Sequence, residues 1–272
     1  MIKKKTKKKK YLSLPIIGLI LIVFVYFYHI EISRIAIRLF YFAENQFCSN
    51  TSDQRKNLKH FGIPIPGKYT IHGIDVSLYQ NRINWKEVKK MKVDSISISF
   101  AFIKATEGEC RIDRYFSMNW ENAKKNQIIR GAYHFYRPQK SSKLQAENFI
   151  STVKLEKGDL PPVLDIECLA SGYSIENTIK GIKNWLKIIE KAYHIQPIIY
   201  TNIDFYMQYL ANEGLDEYPL WIAHYYKENV SIGQKWYFWQ HNDRGKVNGI
   251  SGEVDFNVFN GNMDDLRALC KK

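Results

Sequence analysis

The sequence of 272 residues lacks several features that mark other classes of protein. It has only four cysteines, and their spacing matches no zinc-binding motif, so a metal site is not predicted. It has no glycine-rich phosphate loop and no nucleophile elbow, the signs of nucleotide-dependent enzymes and of one large class of serine hydrolases. Apart from one run of lysines it has no low-complexity tract and no internal repeat. We therefore expect a globular protein whose chemistry needs no cofactor.

Acidic residues are scarce relative to basic ones, with 27 Asp and Glu against 40 Lys and Arg. The formal net charge is +13, and the seven lysines within residues 1–10 account for seven of these charges, which leaves +6 for the rest. The remaining excess suits an anionic surface such as a cell wall. Because the basic run is so local and no aromatic–basic recognition module accompanies it, nucleic acid is not a predicted partner.

Long apolar runs are also rare, and the one present covers residues 11–30. Its length suffices for a single membrane span of about 20 residues, and the lysines before it predict a cytoplasmic N-terminus with export of the rest. A cleaved signal peptide is the alternative, but no small-residue cleavage site follows and bulky residues continue to Phe42. We therefore predict a basic cytoplasmic tail over residues 1–10 and an uncleaved signal-anchor helix over residues 11–30. A secreted protein whose apolar segment leaves the membrane is a further alternative.

Residues 31–68 are interpreted as a juxtamembrane helix followed by a linker. Arg34 and Arg38 lie among apolar residues at helical spacing, whereas residues 44–68 are polar and contain prolines. A compact domain is then predicted over residues 69–272.

The four cysteines suggest disulfides if this domain is exported. Four cysteines allow three pairings, and the sequence does not select one. One hypothesis joins Cys110 to Cys168, which directly follows Glu167, and joins Cys48 to Cys270. The first bridge would brace the segment that carries Glu167, and the second would tie the linker to the C-terminus.

The domain alternates between strand-like and helix-like segments. Strands are predicted at residues 71–77, 95–106, 128–136, 162–167 and 197–202. Helices are predicted after them at residues 85–91, 117–126, 141–153, 175–193 and 205–210. Three further strands, 219–225, 236–241 and 254–259, have no helix of useful length between them. This order implies an α/β fold with a parallel sheet, and eight strands are enough to close a barrel with its chemistry at the C-terminal strand ends. An open, doubly wound sheet is the alternative.

Two carboxylates lie at the end of one apolar strand, in the run 161–167 (PPVLDIE). Side chains alternate along a strand, so Asp165 and Glu167 point to the same side, with Cα atoms about 6.6 Å apart. Two acids this close resist double ionisation, so one tends to keep its proton near neutral pH. Cleavage of a glycosidic bond uses such a protonated acid beside a carboxylate. The structural alternative is that the pair caps the next helix or contacts a surface lysine.

Eight short segments of the domain together resemble the glycoside hydrolase family 25 lysozymes, the Chalaropsis-type muramidases. They are 72–77 (HGIDVS), 103–108 (IKATEG), 131–135 (GAYHF), 164–167 (LDIE), 199–202 (IYTN), 220–223 (LWIA), 239–240 (WQ) and 254–257 (VDFN). The resemblance implies a (β/α)5(β)3 TIM-like barrel. It also implies cleavage of the β-1,4 bond between N-acetylmuramic acid and N-acetylglucosamine in peptidoglycan. Two features depart from the family pattern: His241 follows Gln240 where a tyrosine is usual, and the loop 242–252 is particular to this chain.

Four acidic residues are the candidate catalytic groups. Glu167 is expected to be the general acid, its pKa raised by the neighbouring Asp165, which would stay ionised and stabilise developing positive charge. The resemblance suggests that the substrate's own acetamido group acts as the nucleophile, and a direct carboxylate nucleophile remains open. Asp75 and Asp255 belong by resemblance to the same acidic centre. The alternative is that both are structural residues, in which case Asp75 would cap a turn and Asp255 would pair with Lys104 or an arginine.

Four further residues are expected to position the sugar: Tyr133, Tyr200, Trp221 and Gln240. Aromatic rings stack on sugar faces and glutamine can bind the acetamido group, although packing in the core is the ordinary role of strand aromatics. The expected partner is the glycan strand of peptidoglycan, and a monomer is expected. The resemblance and the anchor together place the protein in a bacterial cytoplasmic membrane, with the barrel in the periplasm or outside the cell. A catalytically inactive peptidoglycan-binding protein on the same barrel is the alternative.

Overall fold

A computed structural model describes residues 55–58 and 61–272 of the chain. The predicted tail (1–10), anchor (11–30) and juxtamembrane helix lie outside these residues, so the structure does not bear on them. Within the part that is described, no helix combines the length and the apolar character that a membrane span requires.

The described residues form twelve strands and six α-helices, and each of the eight predicted strands and five predicted helices overlaps one of them. The strands are β1 (Arg55–Leu58), β2 (Ile63–Pro66), β3 (Ile71–Val76), β4 (Lys92–Val93), β5 (Ile96–Glu107), β6 (Arg111–Ile112), β7 (Ile129–Phe135), β8 (Val163–Asp165), β9 (Ile198–Asn202), β10 (Leu220–Ala223), β11 (Phe238–Gly245) and β12 (Val254–Phe259). The helices are α1 (Trp85–Lys90), α2 (Phe116–Lys125), α3 (Ser142–Thr152), α4 (Ile175–Tyr193), α5 (Ile203–Phe205) and α6 (Met263–Leu269). The C-terminal helix α6 was not predicted.

Eight strands close into a barrel in the order β3-β5-β7-β8-β9-β10-β11-β12, with β12 pairing back onto β3. Neighbouring strands from β3 round to β11 are parallel, and β12 is antiparallel to both of its neighbours. Each of the first five barrel strands is followed by a helix, no helix lies between the last three strands, and α6 follows β12 at the C-terminus. The predicted (β/α)5(β)3 barrel is therefore confirmed, and the open-sheet alternative is wrong because β3 pairs with both β5 and β12.

Two apolar layers hold the barrel together. The inner layer fills the barrel with alternate strand residues, among them Ile71, Phe100, Phe102, Val163, Ile198, Trp221, Phe238 and Phe259. The outer layer packs the other strand faces against the helices, and the predicted stripe of α4 joins it through Ile179, Ile182, Leu186 and Ile189. Glycines make room for the inner rings: a Cβ on Gly73 would lie 2.4 Å from the Phe100 ring, and one on Gly131 would lie 2.5 Å from the Phe102 ring.

The segment before residue 69 differs from the predicted linker. Strands β1 and β2 pair as an antiparallel hairpin. Phe61, Ile63 and Ile65 are buried in the outer layer, and the Phe61 carbonyl accepts a hydrogen bond of 2.9 Å from the Lys246 amide. Prolines indicated a linker because they cannot donate to a sheet, but β2 is an edge strand, where the missing donor is tolerated. The alternation of apolar residues at Phe61, Ile63 and Ile65 indicates a strand, and it was the better guide to this segment.

The proposed disulfide between Cys110 and Cys168 is wrong. Both residues are exposed free thiols, and Cys270 is a buried free thiol whose Sγ donates to the Leu266 carbonyl. The suggested partner of Cys270, Cys48, lies outside the described residues.

Candidate active site

The four candidate carboxylates all lie at one end of the barrel. Asp75 is next to last in β3 and Asp165 is the last residue of β8, so both stand at C-terminal strand ends. Asp255 is the second residue of β12, which runs in the opposite direction, and it pairs with Asp75 across the two strands. Glu167 follows β8 by two residues. The order of the strands, together with the reversal of β12, brings these four acids to the same mouth.

The Asp165–Glu167 pair is continuous with the sheet although β8 ends at Asp165. The Ile166 amide donates to the Tyr200 carbonyl at 3.0 Å, which keeps the chain extended beside β9. The Glu167 carbonyl accepts from the Asn202 amide group at 3.0 Å. Asp165 is only 5% exposed, whereas Glu167 is half-buried. Glu167 is therefore the member of the pair that a ligand in the barrel mouth reaches first.

Both carboxyls of the Asp165–Glu167 pair have raised pKa values. Burial raises the pKa of Asp165 well above its ordinary value, and the Glu167 charge raises it further, with Lys104 opposing. Burial and the charge of Asp75 raise the pKa of Glu167, whereas its hydrogen bond with Asp165 lowers it. The predicted cause of the raised Glu167 pKa was the charge of Asp165, whereas burial and the Asp75 charge are what raise it here. Because both carboxyls have raised pKa values, the pair tends to hold one proton that the two groups share.

Asp75 and Asp255 form a second carboxyl pair. Burial raises the pKa of Asp75 to about 6, against hydrogen bonds from Asn257, Gln240 and Asp255 that favour its charged form. Burial and the charge of Asp75 raise the pKa of Asp255 to about 9. At neutral pH Asp255 is therefore the protonated donor and Asp75 the carboxylate. The pair carries one negative charge.

Gln240 belongs to the support of Asp75. Its Nε2 donates to Asp75 Oδ2 at 2.7 Å, and its Oε1 accepts from the hydroxyls of Tyr200 and Tyr225, each at 2.7 Å. Gln240 and Tyr200 are buried in this network. Since both lone pairs of the Gln240 oxygen are used inside the protein, that oxygen is not free to bind the acetamido group. The structure places Gln240 and Tyr200 behind the carboxylate.

Trp221 also lies beneath the site. It is 2% exposed, stacks on Phe102 with ring centroids 4.3 Å apart, and contacts Tyr200 on another side. Its indole Nε1 donates at 2.8 Å to Oδ1 of Asn257, whose amide donates at 2.7 Å to Asp75 Oδ2. The expected stacking of Trp221 on a sugar does not fit this position because its faces are covered. Trp221 therefore holds the Asn257 side chain in place, and Asn257 in turn orients Asp75.

Tyr133 is the predicted sugar-positioning residue that remains partly open. It is half-buried on β7, opposite Val163 in the register with β8. Burial and the charges of Asp75 and Asp165 raise the pKa of its hydroxyl well above the ordinary value. The hydroxyl therefore stays protonated and can donate to a ligand.

Lys104 pairs at the rim with Glu107 and not with Asp255. Its Nζ lies 2.8 Å from Glu107 Oε2, and Arg137 contacts the other oxygen at 2.6 Å. Burial alone would raise the pKa of Glu107, but the bonds and charges of Lys104 and Arg137 hold it at about 2. Both cations also lie over the Phe135 ring, within 5 Å of its centroid. The charge of Lys104 lowers the pKa of Asp165 from two strands away.

The departure at His241 falls on the outer face of β11. Its ring packs against Trp239 and Phe256, which belong to the outer apolar layer, whereas Gln240 points inward. The histidine at this position therefore leaves the carboxylates at the barrel mouth unchanged.

The sequence analysis missed two residues of the site, Asn257 and Tyr225. For Asn257 a signal existed, because it follows Asp255 by two residues and shares its face of the strand.

Comparison with known proteins agrees with this geometry. The model of the family described as glycosyl hydrolases family 25 matches residues 74–250. Lysozyme M1 of Streptomyces globisporus is 38% identical over 215 residues, covering 73% of this chain and 71% of that protein. Uncharacterized protein YegX of Escherichia coli K12 is 49% identical over 213 residues, which is 78% of each chain. The solved family 25 glycosyl hydrolase of Bacillus anthracis has 36% identity and a TM-score of 0.69, covering 75% of this chain and 95% of its own. This chain therefore belongs to glycosyl hydrolases family 25 and is a glycoside hydrolase.

Proposed function

We propose that the protein is a lysozyme that cleaves the β-1,4 bond between N-acetylmuramic acid and N-acetylglucosamine in peptidoglycan. The observation that carries this proposal is the proton-sharing pair of Asp165 and Glu167 at the barrel mouth. The likeness to Lysozyme M1 supports the choice of substrate.

Glu167 acts as the general acid and Asp165 as the stabilising carboxylate. When the sugar's acetamido N–H hydrogen-bonds to Asp165, the charged form of Asp165 is favoured and the shared proton moves to Glu167. Glu167 then donates it to the glycosidic oxygen, which leaves with the N-acetylglucosamine. The charge of Asp75 keeps the proton on Glu167 until that moment, because it raises the pKa of that carboxyl.

The acetamido oxygen of the muramic acid attacks the anomeric carbon as the glycosidic bond breaks. The ring that forms carries positive charge at nitrogen, which the Asp165 carboxylate stabilises. Water then attacks the anomeric carbon and gives its proton to Glu167, which restores the starting state with retention of configuration. A carboxylate nucleophile in place of the acetamido group would produce a glycosyl-enzyme that intact-protein mass spectrometry detects.

The reaction is tested by digesting purified peptidoglycan and identifying the new reducing-end sugar by mass spectrometry. Muramic acid at that end supports the proposal. Glucosamine at that end, or no release despite binding, contradicts it; the latter is the result expected of an inactive wall-binding protein.

Glu167→Gln tests the general acid. The amide keeps the shape but cannot donate an acidic proton, so we expect kcat to fall about 10²- to 10⁴-fold with unchanged folding. Glu147→Gln on α3, at an exposed residue that pairs with Lys143 one helical turn away, is the matched control and should keep full activity. Near-normal turnover by the Glu167→Gln variant would show that Glu167 is not the general acid.

We further propose that residues 11–30 anchor the protein in a bacterial cytoplasmic membrane, with the barrel on the outer side. The apolar run and the preceding lysines support this topology. Carbonate-resistant membrane association, together with protease access to the barrel only from outside the cell, is the expected result. Recovery of the full-length chain in the soluble fraction would contradict it.

A further inference from the structure

A groove of about 830 Å³ lies outside the barrel, between the N-terminal end of α3 and residues 175–187 of α4. Ser141 and Ser174 cap these two helices, so both N-termini face the groove region with their partial positive charge. Helix N-termini alone do not define a binding site, and the side chains of this groove supply the further observation.

Four lysines against two glutamates line the groove: Lys140, Lys180, Lys183 and Lys187, with Glu176 and Glu213. Lys183 is 3.3 Å from Glu213, and Lys140 is 3.8 Å from Glu109. Lys180 and Lys187 are exposed and have no carboxylate within ion-pair distance among the described residues. The lining side chains therefore carry a net charge of +2, with Glu176 one helical turn before Lys180.

The spacing of these two charges fits an extended peptide. Lys180 and Lys187 are seven residues apart on α4, which places them on one face and about 10.5 Å apart along the helix axis. An extended peptide covers this distance in about three residues, at about 3.3 Å per residue. The groove thus matches a short peptide whose carboxylates are separated by about 10 Å.

The groove is joined to the active site by the two loops that form its end. Tyr136 lines the groove, and its amide donates at 2.8 Å to the Asp165 carbonyl. The Tyr136 side chain is buried against α4, where a Cβ on Gly181 would lie 2.3 Å from its hydroxyl. The loop after β8 runs from Glu167 to Tyr173, which also lines the groove. These two loops therefore connect the barrel mouth to the groove.

We propose that this groove binds the anionic peptide stem of the peptidoglycan strand whose glycan occupies the active site. The inference rests on the proposed function, since it assigns a second part of the same substrate to a second surface. Stem peptides carry free carboxylates, and their attachment to the muramic acid starts them at the barrel mouth. Lys180 and Lys187 bind those carboxylates and thereby increase affinity without taking part in bond cleavage.

The test compares the full-length protein with the double variant Lys180→Gln/Lys187→Gln on two soluble substrates. One is uncrosslinked glycan strands with intact stems, and the other is the same strands after an amidase has removed the stems. The control variant, Lys86→Gln/Lys125→Gln, removes two exposed lysines from α1 and α2. Reducing ends are counted to obtain kcat and KM.

On stem-bearing strands we expect the groove variant to raise KM about fivefold with kcat unchanged, the loss due to two exposed charge contacts. On stem-free strands the groove variant, the control and the unmodified protein should have the same KM. At 1 M salt the KM of the unmodified protein on stem-bearing strands should approach that of the groove variant.

Equal KM values for the groove variant and the unmodified protein on stem-bearing strands would overturn the inference. So would an equal rise on both substrates, which would make the groove a glycan site. If the unmodified protein cleaves neither substrate, the proposed function itself fails, and this outcome is distinct from the others.

Discussion

Replacing Asp255 with Asn should keep the site working and make the folded protein more stable at alkaline pH. Asp255 lies opposite Asp75 in the strand register, and its pKa of about 9 makes it a neutral hydrogen-bond donor at pH 7. Asparagine is also a neutral donor of nearly the same shape. We therefore expect kcat/KM of Asp255→Asn at pH 6 to stay within about fivefold of the unmodified protein, whereas Asp255→Ala, which lacks the donor, should lose more.

The stability effect follows from the protons bound in each state. The Asp255 carboxyl has a pKa of about 9 when folded and 3.8 as its ordinary value, so between these pH values the folded state binds one more proton than the unfolded state. Stability then falls as pH rises, by about 1.36 kcal/mol per pH unit. From pH 5 to pH 8 this contribution reaches about 4 kcal/mol as an upper bound, because Asp75 titrates with it. The Asp255→Asn variant lacks this contribution because asparagine does not titrate in this range.

Urea unfolding followed by tryptophan fluorescence at pH 5 and pH 8 measures this difference. The unmodified protein should be less stable at pH 8 than at pH 5, and the decrease should be smaller in Asp255→Asn, where Asp75 and Asp165 still contribute to it. Asp264→Asn, at a carboxyl that is 93% exposed, is the control and should behave as the unmodified protein. The reasoning is refuted if Asp255→Asn keeps the full pH dependence of stability, or if it is as inactive at pH 6 as an Asp75 variant.

Three further substitutions test other parts of the site. Asp75→Asn removes a charge that raises the pKa of Glu167, so the alkaline limb of the pH–rate profile should move to lower pH; an unmoved limb would show that Asp75 does not act on the acid. Trp221→Phe leaves a buried amide oxygen without its donor, and a loss of about 1–3 kcal/mol in unfolding free energy with reduced kcat is expected; full activity would argue against its positioning role. Gly131→Ala places a Cβ 2.5 Å from a phenylalanine ring in the barrel, which should cost about 1–3 kcal/mol, whereas Gly233→Ala, with open space around it, should be neutral. Equal melting temperatures for these two glycine variants would contradict the tight inner packing.

Helices and strands could be predicted where apolar residues recur with a clear period along the chain. Helix α4 has the predicted bounds, 175–193, because its apolar stripe and its Ser174 cap are both local in sequence. The hairpin of β1 and β2 was missed because it depends on the outer face of the barrel, which buries Phe61. Helix α6 was missed too, although Asn262 caps it through the capping box that ends at Asp265.

The sequence by itself determined the order of strands and helices and the Asp165–Glu167 pair at a strand end, because periodicity and spacing are properties of neighbours along the chain. The choice of a barrel and the assignment of Asp75 and Asp255 to the acidic centre came from the resemblance to family 25. Only the tertiary structure decided which carboxyls hold protons, and that Gln240, Tyr200 and Trp221 support Asp75 instead of facing a sugar. A pKa depends on burial and on partners across the barrel, and the donors to Asp75 lie 165 and 182 residues away in sequence.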